Sequence, residues 1–216
     1  VIYEVQTRYP VATQSVDHLH PRGTKNDNST NAEFNHRLFA LYPRGLPSVL
    51  DLGCSGGGFV QSILEMGGEA VGIEGSDYSK RVGRAAWAAI PANLFTADIG
   101  RPFLVFANDV IASFDVVTMW EVLEHLSVEE LETLIVNVHA HTTHGACFIV
   151  SVNTSQDHFE GFDYHATVRD SDWWEEFFVA RGFAHRHDLC EHFAPHWVRG
   201  PNTEGAASAC FVLQKP

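Results

Sequence analysis

Short apolar runs alternate with helical stripes along this chain. Ser48–Gly53, residues 69–74 (EAVGIE), Asn93–Thr96, Phe114–Trp120 (FDVVTMW) and residues 146–153 (ACFIVSVN) read as buried strands. Phe34, Leu38 and Leu41 share one helical face, behind a Thr30–Glu33 capping-box spacing and ahead of Pro43 and Pro47. Phe59, Val60, Ile63 and Leu64 form a second stripe, stopped by Gly67 and Gly68. Residues 76–90 (SDYSKRVGRAAWAAI) predict one helix closed before Pro91. Ser127 and Glu130 hold reciprocal capping positions ahead of Leu131, Leu134, Ile135 and Val138. Asp170–Arg181 predicts a helix ending at Gly182. Two last strands are expected around Phe183–Leu189 and Ala206–Leu213, separated by a Gly/Pro-rich turn. Residues 1–30 are polar and read as loop, with PRGTKNDNST rich in turn formers.

Strands alternating with helices imply an α/β fold: a mainly parallel, seven-stranded, doubly wound sheet with helices on both faces. A length of 216 residues suits one domain, 1–216. Within it, 1–45 is a leader and helix, and 46–216 a core with a substrate-facing insertion near 153–174. Lys and Arg total 14 against 27 Asp and Glu, a formal charge of −13. That balance disfavours nucleic acid, whose phosphates need basic partners. Cys54, Cys147, Cys190 and Cys210 are scattered without a CxxC pair, and Cys147 and Cys210 sit in apolar runs. No run reaches the ~18–20 apolar residues of a membrane span. VIYEVQTRYP lacks the basic start and apolar stretch of a signal peptide, so a reduced, cytoplasmic setting is expected. Oligomeric state is not legible.

The densest signal is VLDLGCSGGGFV (Val49–Val60), an apolar strand, one aspartate and four glycines. Such a backbone lets something come close: a phosphate, a nucleoside or a neighbouring helix. A phosphate-binding P-loop fails for want of the Lys in GxxxxGK[ST], and the nicotinamide pattern GxGxxG fits poorly because Ser55 stands at its third position. The acidic residue Glu74 ends the next strand about twenty residues on, where a carboxylate can accept both ribose hydroxyls.

Asp51-Leu52-Gly53-Cys54-Ser55-Gly56-Gly57, with Glu74, with Asp98 in NLFTADIG and with FDVVTMWEVLEHL, resembles the class I S-adenosylmethionine (SAM)-dependent methyltransferases over roughly Ser48 to Phe183. FDVVTMWEVLEHL looks like the small-molecule branch that contains quinone O-methyltransferases. Ser55 departs from the commonest middle glycine. The resemblance implies a Rossmann-like sheet whose last strand is antiparallel, and SAM as cofactor. It implies that Asp51, Gly53, Cys54, Ser55, Gly57, Glu74, Gly75 and Ser76 hold the cofactor. It also implies that Asp98 meets the adenine amino group with Ile99 against the ring, and that Trp120 and Glu121 flank the methionine part.

Methyl transfer from a sulfonium is an in-line displacement, in which a hydroxyl acceptor benefits from a base and an amine needs none. His125 follows a strand end and is the first candidate base, with His165 the second; either could instead orient a loop. Asn153, His158, Tyr164 and Trp173 follow the fifth strand, where relatives place substrate contacts. Asn26–His36 is expected as a lid, with His36 touching a small-molecule acceptor. His139, His141 and His144, and His185, His187, Cys190, His192 and His196, match neither zinc-finger nor HExxH spacing, so no metal is expected. His185 and His187 would share one strand face. The reading is a methyltransferase acting on an O or N atom of a small molecule. A SAM-binding sensor or partner subunit and a nicotinamide-dependent oxidoreductase stand as alternatives.

Overall fold

The computed structural model describes residues 1–201 and 207–216. The amino-terminal part carries β1 (Tyr3–Thr7), α1 (Val16–Leu19), α2 (Gly23–Asn26) and α3 (Ala32–Ala40). Then follow β2 (Ser48–Leu52), α4 (Gly58–Glu65), β3 (Glu69–Glu74), α5 (Tyr78–Val82), β4 (Leu94–Thr96), β5 (Phe103–Ala107) and β6 (Val110–Ile111). The chain continues through β7 (Phe114–Trp120), α6 (Val128–Ala140), β8 (Thr142–Asn153), β9 (His158–Phe159) and β10 (Phe162–Asp163). It closes with α7 (Ser171–Val179), β11 (Ala184–His185), α8 (His187–Phe193) and β12 (Ser208–Gln214).

Seven strands form one sheet in the order β11-β12-β8-β7-β2-β3-β4. β4, β3, β2, β7 and β8 pair in parallel, and β12 runs antiparallel to both neighbours, as expected. The parallel strands are buried on both faces, so neighbouring positions feed opposite cores. Leu50, Leu52, Ile73 and Phe148 join Leu134 of α6 and Phe178 of α7 in one cluster. Val49 and Ile149 join Phe34 of α3, Val60 and Ile63 of α4 and Phe193 of α8 in the other. Sequence order reverses between β2 and β7, and a crevice opens there at the strands' carboxyl ends.

Several expectations are corrected. Residues 1–30 are not all loop: β1 pairs antiparallel with β5, and α1 and α2 follow. The alternation of Tyr3, Val5 and Thr7 with Glu4 and Gln6 carries that signal, and its partner β5 lies about a hundred residues away in sequence. The cap of α3 is Asn31 rather than Thr30, its side chain accepting from the Glu33 and Phe34 amides. The single helix over 76–90 is broken at Gly83, whose φ of +61° leaves α5 and a 3₁₀ turn at Ala85–Ala88. The strand at Phe183–Leu189 shrinks to β11 and gives way to α8, so His185 and His187 share no strand face. The last strand starts at Ser208, and Ala206 lies outside the described residues. The reciprocal Ser127–Glu130 capping box on α6 is present.

Candidate active site

The ends of β2, β3, β7 and β8 open onto a cleft of about 920 Å³. That is near the upper end of small-ligand sites, ~300–1,000 Å³. The glycine loop turns at its floor with φ of +79° at Gly53, +48° at Ser55 and +78° at Gly57. What comes close to this backbone is the chain itself. A Cβ on Gly53 would lie 2.4 Å from Val122 Cγ2, one on Gly56 2.4 Å from Asn28 Oδ1, and one on Gly57 2.5 Å from Leu94 Cδ1. Gly53 and Ser55 line the cleft, whereas Cys54 and Gly57 face inward, Cys54 against Gly72. Asp51 also sits behind the loop, 2% exposed, accepting from Thr118 Oγ1 at 2.7 Å. Burial pushes its carboxyl up to about 7, against the pull of that hydrogen bond.

Glu74 ends β3 inside the cleft. Its Oε2 accepts from the Ser55 amide at 2.7 Å and its Oε1 from the Ser76 amide at 3.0 Å. Oε2 keeps a lone pair, while Oε1 also receives the Thr24 hydroxyl, and burial raises the pKa although these hydrogen bonds oppose it. Gly75, Ser76, Asp98 and Ile99 line the same end, with Asp98 Oδ1 accepting from the Gly100 amide. Trp120 and Glu121 lie at the end of β7. The Trp120 indole is wedged edge-on between Phe34 and Phe59, and Glu121 faces Arg199 at 3.6 Å.

The other wall is built on the 3₁₀ turn Leu123–His125. The Glu124 carbonyl accepts from the Ala166 and Thr167 amides, pinning the 165–167 segment beside His125. The two imidazoles meet edge to face, 5.0 Å between centroids. His165 donates from Nδ1 to the Ser155 carbonyl at 2.6 Å, which leaves Nε2 as an acceptor. Burial, and then His165, lower the His125 pKa to about 4, so its imidazole is neutral at pH 7. Glu124 is fully buried and burial raises its carboxyl to about 8; Oε1 accepts from the Asn153 amide. Glu124, His125 and His165 offer ligand atoms within 4.8 Å of one another.

The leader closes the top. Asp17 accepts from the amides of Arg22 (2.7 Å), Gly23 (2.7 Å) and Thr24 (2.8 Å), capping α2, and the Thr24 hydroxyl lies 3.3 Å from Glu74 Oε1. Asn28 Oδ1 accepts from the Gly58 amide at 2.9 Å. On the far side Arg22 pairs with Asp157 at 2.7 Å and lies 4.4 Å over Phe159, while Tyr164 Oη donates to the His20 carbonyl at 3.0 Å.

Of the expected acceptor residues, Asn153, Tyr164 and His165 line the cleft. His36 is exposed on α3 and outside it, His158 is exposed on β9 and held by Asp163, and Trp173 stacks on Phe177 at 5.2 Å. The covering leader segment is therefore residues 12–27, upstream of most of Asn26–His36. Sequence reasoning missed Asp17, Arg22, Thr24, Glu124 and Arg199. Asp17 caps a helix six residues downstream, beyond any local capping pattern, and Arg199 arrives from the carboxyl-terminal part. Three lining residues also carry a fully buried polar atom with no hydrogen-bond partner: His18 Nδ1, Trp120 Nε1 and Glu124 Oε2. The cleft's volume and the free lone pairs of Glu74 Oε2 and Asp98 fit a polar ligand of nucleoside size.

Residues 24–198 match the model of a methyltransferase-domain family, and the chain belongs to that family. It is a methyltransferase. No curated protein sequence matches it. Among solved structures, a protein from Pyrococcus horikoshii OT3 is similar at 16% identity and TM-score 0.63, covering 93% of this chain and 99% of that one. The Burkholderia thailandensis 1,6-didemethyltoxoflavin-N1-methyltransferase, bound to its substrate and S-adenosylhomocysteine, aligns at 16% identity and TM-score 0.61 over 92% and 84% of the two chains. The glycopeptide N-methyltransferase MtfA with S-adenosylhomocysteine aligns at 17% identity and TM-score 0.57 over 96% and 100%.

Proposed function

We propose that the protein transfers a methyl group from SAM to an oxygen or nitrogen atom of a small molecule held in this cleft. One observation carries the reading: a single cleft brings together the acidic pair Glu74 and Asp98, suited to a nucleoside, and a contacting pair of histidines, buried His165 and partly buried His125. SAM supplies an electrophilic methyl on a sulfonium. Glu74 accepts from the ribose hydroxyls, Asp98 from the adenine amino group, and Ile99 offers an apolar surface to the ring. Gly53, Ser55, Gly75 and Ser76 border the same end, and Trp120 and Glu121 border the methionine end. Asp51, Cys54 and Gly57 act from behind, by holding the loop's shape.

On the acceptor side His125 is neutral and can accept a hydrogen bond from a hydroxyl, orienting it towards the methyl; its lowered pKa makes it a weak base at pH 7. His165 holds its own acceptor nitrogen towards the same region. Asn153 and Tyr164 border the acceptor, and residues 12–27 exclude water above it. His36, His158 and Trp173 take no direct part. A charge of −13 argues against a nucleic-acid acceptor. The likeness of FDVVTMWEVLEHL to quinone O-methyltransferases favours oxygen, whereas the toxoflavin and glycopeptide enzymes act on nitrogen.

Calorimetry with SAM and S-adenosylhomocysteine tests the cofactor half. Glu74→Ala should weaken binding by about 1–3 kcal/mol, the cost of leaving ribose hydroxyls unpaired. Radiolabelled SAM offered with sugar, quinone and amine pools tests the acceptor half. Labelling of tRNA or DNA with none of any small molecule would overturn it.

A further inference from the structure

Outside the cleft, a second group of ligand-type side chains gathers where α7, β11 and α8 meet. Glu175 comes from α7, His185 from β11 at the edge of the sheet, and His187 from the first turn of α8. One donor atom from each lies within 4.8 Å of the other two. Glu175 Oε1 stands 2.9 Å from His185 Nδ1 and 3.6 Å from His187 Nε2. The two imidazole centroids are 3.9 Å apart. None of the three lines the methyltransferase cleft.

The contact between His185 and Glu175 has an odd geometry. The His185 side chain is 9% exposed, and its Nδ1 is buried without a hydrogen bond even though a carboxylate oxygen lies 2.9 Å away. The nitrogen does not aim at the oxygen. A proton on Nδ1 would lie in the ring plane, off the line between the two atoms. Two ligands of one ion behave in this way, because each points to a shared third position rather than to its fellow ligand. With bonds of ~2.0–2.1 Å, a tetrahedral ion sets its ligand atoms ~3.3 Å apart. The observed 2.9 and 3.6 Å straddle that spacing. The second nitrogen of His185 is engaged as well: Nε2 lies 3.4 Å from Cys190 Sγ, a contact that orients the ring as metal-bound imidazoles usually are oriented. Cys190 itself receives the Val212 amide at 3.3 Å and serves as that outer partner.

We propose that Glu175, His185 and His187 form a binding site for a divalent first-row cation of the zinc type, with water completing the coordination on the exposed side of His187. Two imidazoles and one carboxylate suit Zn²⁺ and its neighbours rather than Mg²⁺ or Ca²⁺, which prefer oxygen alone. The ion would tie a helix, an edge strand and the helix that follows it. The site is independent of the methyl-transfer reading, and its test needs no acceptor.

The experiment uses the full chain, stripped of metal and titrated with Zn²⁺ against a chromophoric chelator. His187 is 71% exposed and Glu175 39% exposed at the side chain, so His187→Ala and Glu175→Gln should fold. Each is expected to weaken Zn²⁺ binding tenfold or more, and the rise in Tm on adding Zn²⁺ should vanish in both. His165→Ala, in the cleft, should leave this site's affinity and the Tm rise unchanged. Wild-type Zn²⁺ affinity in His187→Ala and Glu175→Gln would overturn the proposal. So would loss of the Tm rise in His165→Ala alone, or absence of a saturable site in the wild type.

Discussion

Replacing Arg22 by alanine should loosen the cover of the cleft without unfolding the core. Arg22 Nη1 lies 2.7 Å from both oxygens of Asp157, and its guanidinium lies 4.4 Å over Phe159 and 5.4 Å from the Tyr164 ring. The ion pair is about one-third exposed on each side, so solvent screens it to roughly 0.2–1 kcal/mol. The aromatic contacts add about 0.5–1 kcal/mol at an exposed site. Together roughly 0.7–2 kcal/mol holds the cover to the β9–β10 hairpin, a factor of about 3–30 in the ratio of closed to open forms. Hydrogen exchange read by mass spectrometry reports on that ratio, because α2 has only four residues and, once the cover lifts, too little support to keep the Asp17 bonds to the Arg22, Gly23 and Thr24 amides. Arg22→Ala should speed exchange over residues 15–28 by that factor, leaving β2, β3 and β7 at the wild-type rate. A double-mutant cycle with Asp157→Ala should return a coupling of about 0.2–1 kcal/mol. Unchanged exchange over residues 15–28 would refute the clasp; equal acceleration of β2 and β3 would show that Arg22 serves global stability.

Three further outcomes follow from the cleft. Burial holds the Glu124 pKa at about 8, above its ordinary 4.5, so the folded state keeps a proton that the unfolded chain releases, and stability falls as pH rises between those values. Asp51 shares part of that window, so urea unfolding at pH 6 and 8 should show a smaller drop in Glu124→Gln than in wild type, not none. Gly53→Ala should cost about 2–4 kcal/mol, from its φ of +79° and the clash with Val122, and Val122→Ala should recover part of it in thermal melts. No recovery would place the glycine's constraint elsewhere. His125→Gln should lower turnover on a hydroxyl acceptor while calorimetric SAM affinity stays within twofold; equal loss of both would make it a positioning residue.

The parallel strands, most of their helices and the acidic residues Glu74 and Asp98 at the strand ends were legible in the sequence because each is a local pattern. β2, β3 and β7 carry central apolar runs, since they are buried on both faces, and Glu74 and Asp98 stand at or just after strand ends that converge. Weaker local patterns yield to backbone detail: Gly83 breaks the helix expected over 76–90, and Arg186 ends the strand expected over 183–189. The leader was decided by tertiary structure. Thr24 reaches Glu74 across 50 residues and Arg22 reaches Asp157 across 135, and polar segments of that kind carry no periodicity to announce a partner. The glycine loop shows the division most clearly. Its composition said that something must come close, but which atoms do so (Asn28, Leu94 and Val122) depended on packing among distant segments. The same holds for Glu175, which no spacing rule links to His185 and His187. Local chemistry writes strands, caps and turns into a sequence, whereas contacts between irregular segments exist only once the sheet has brought them together.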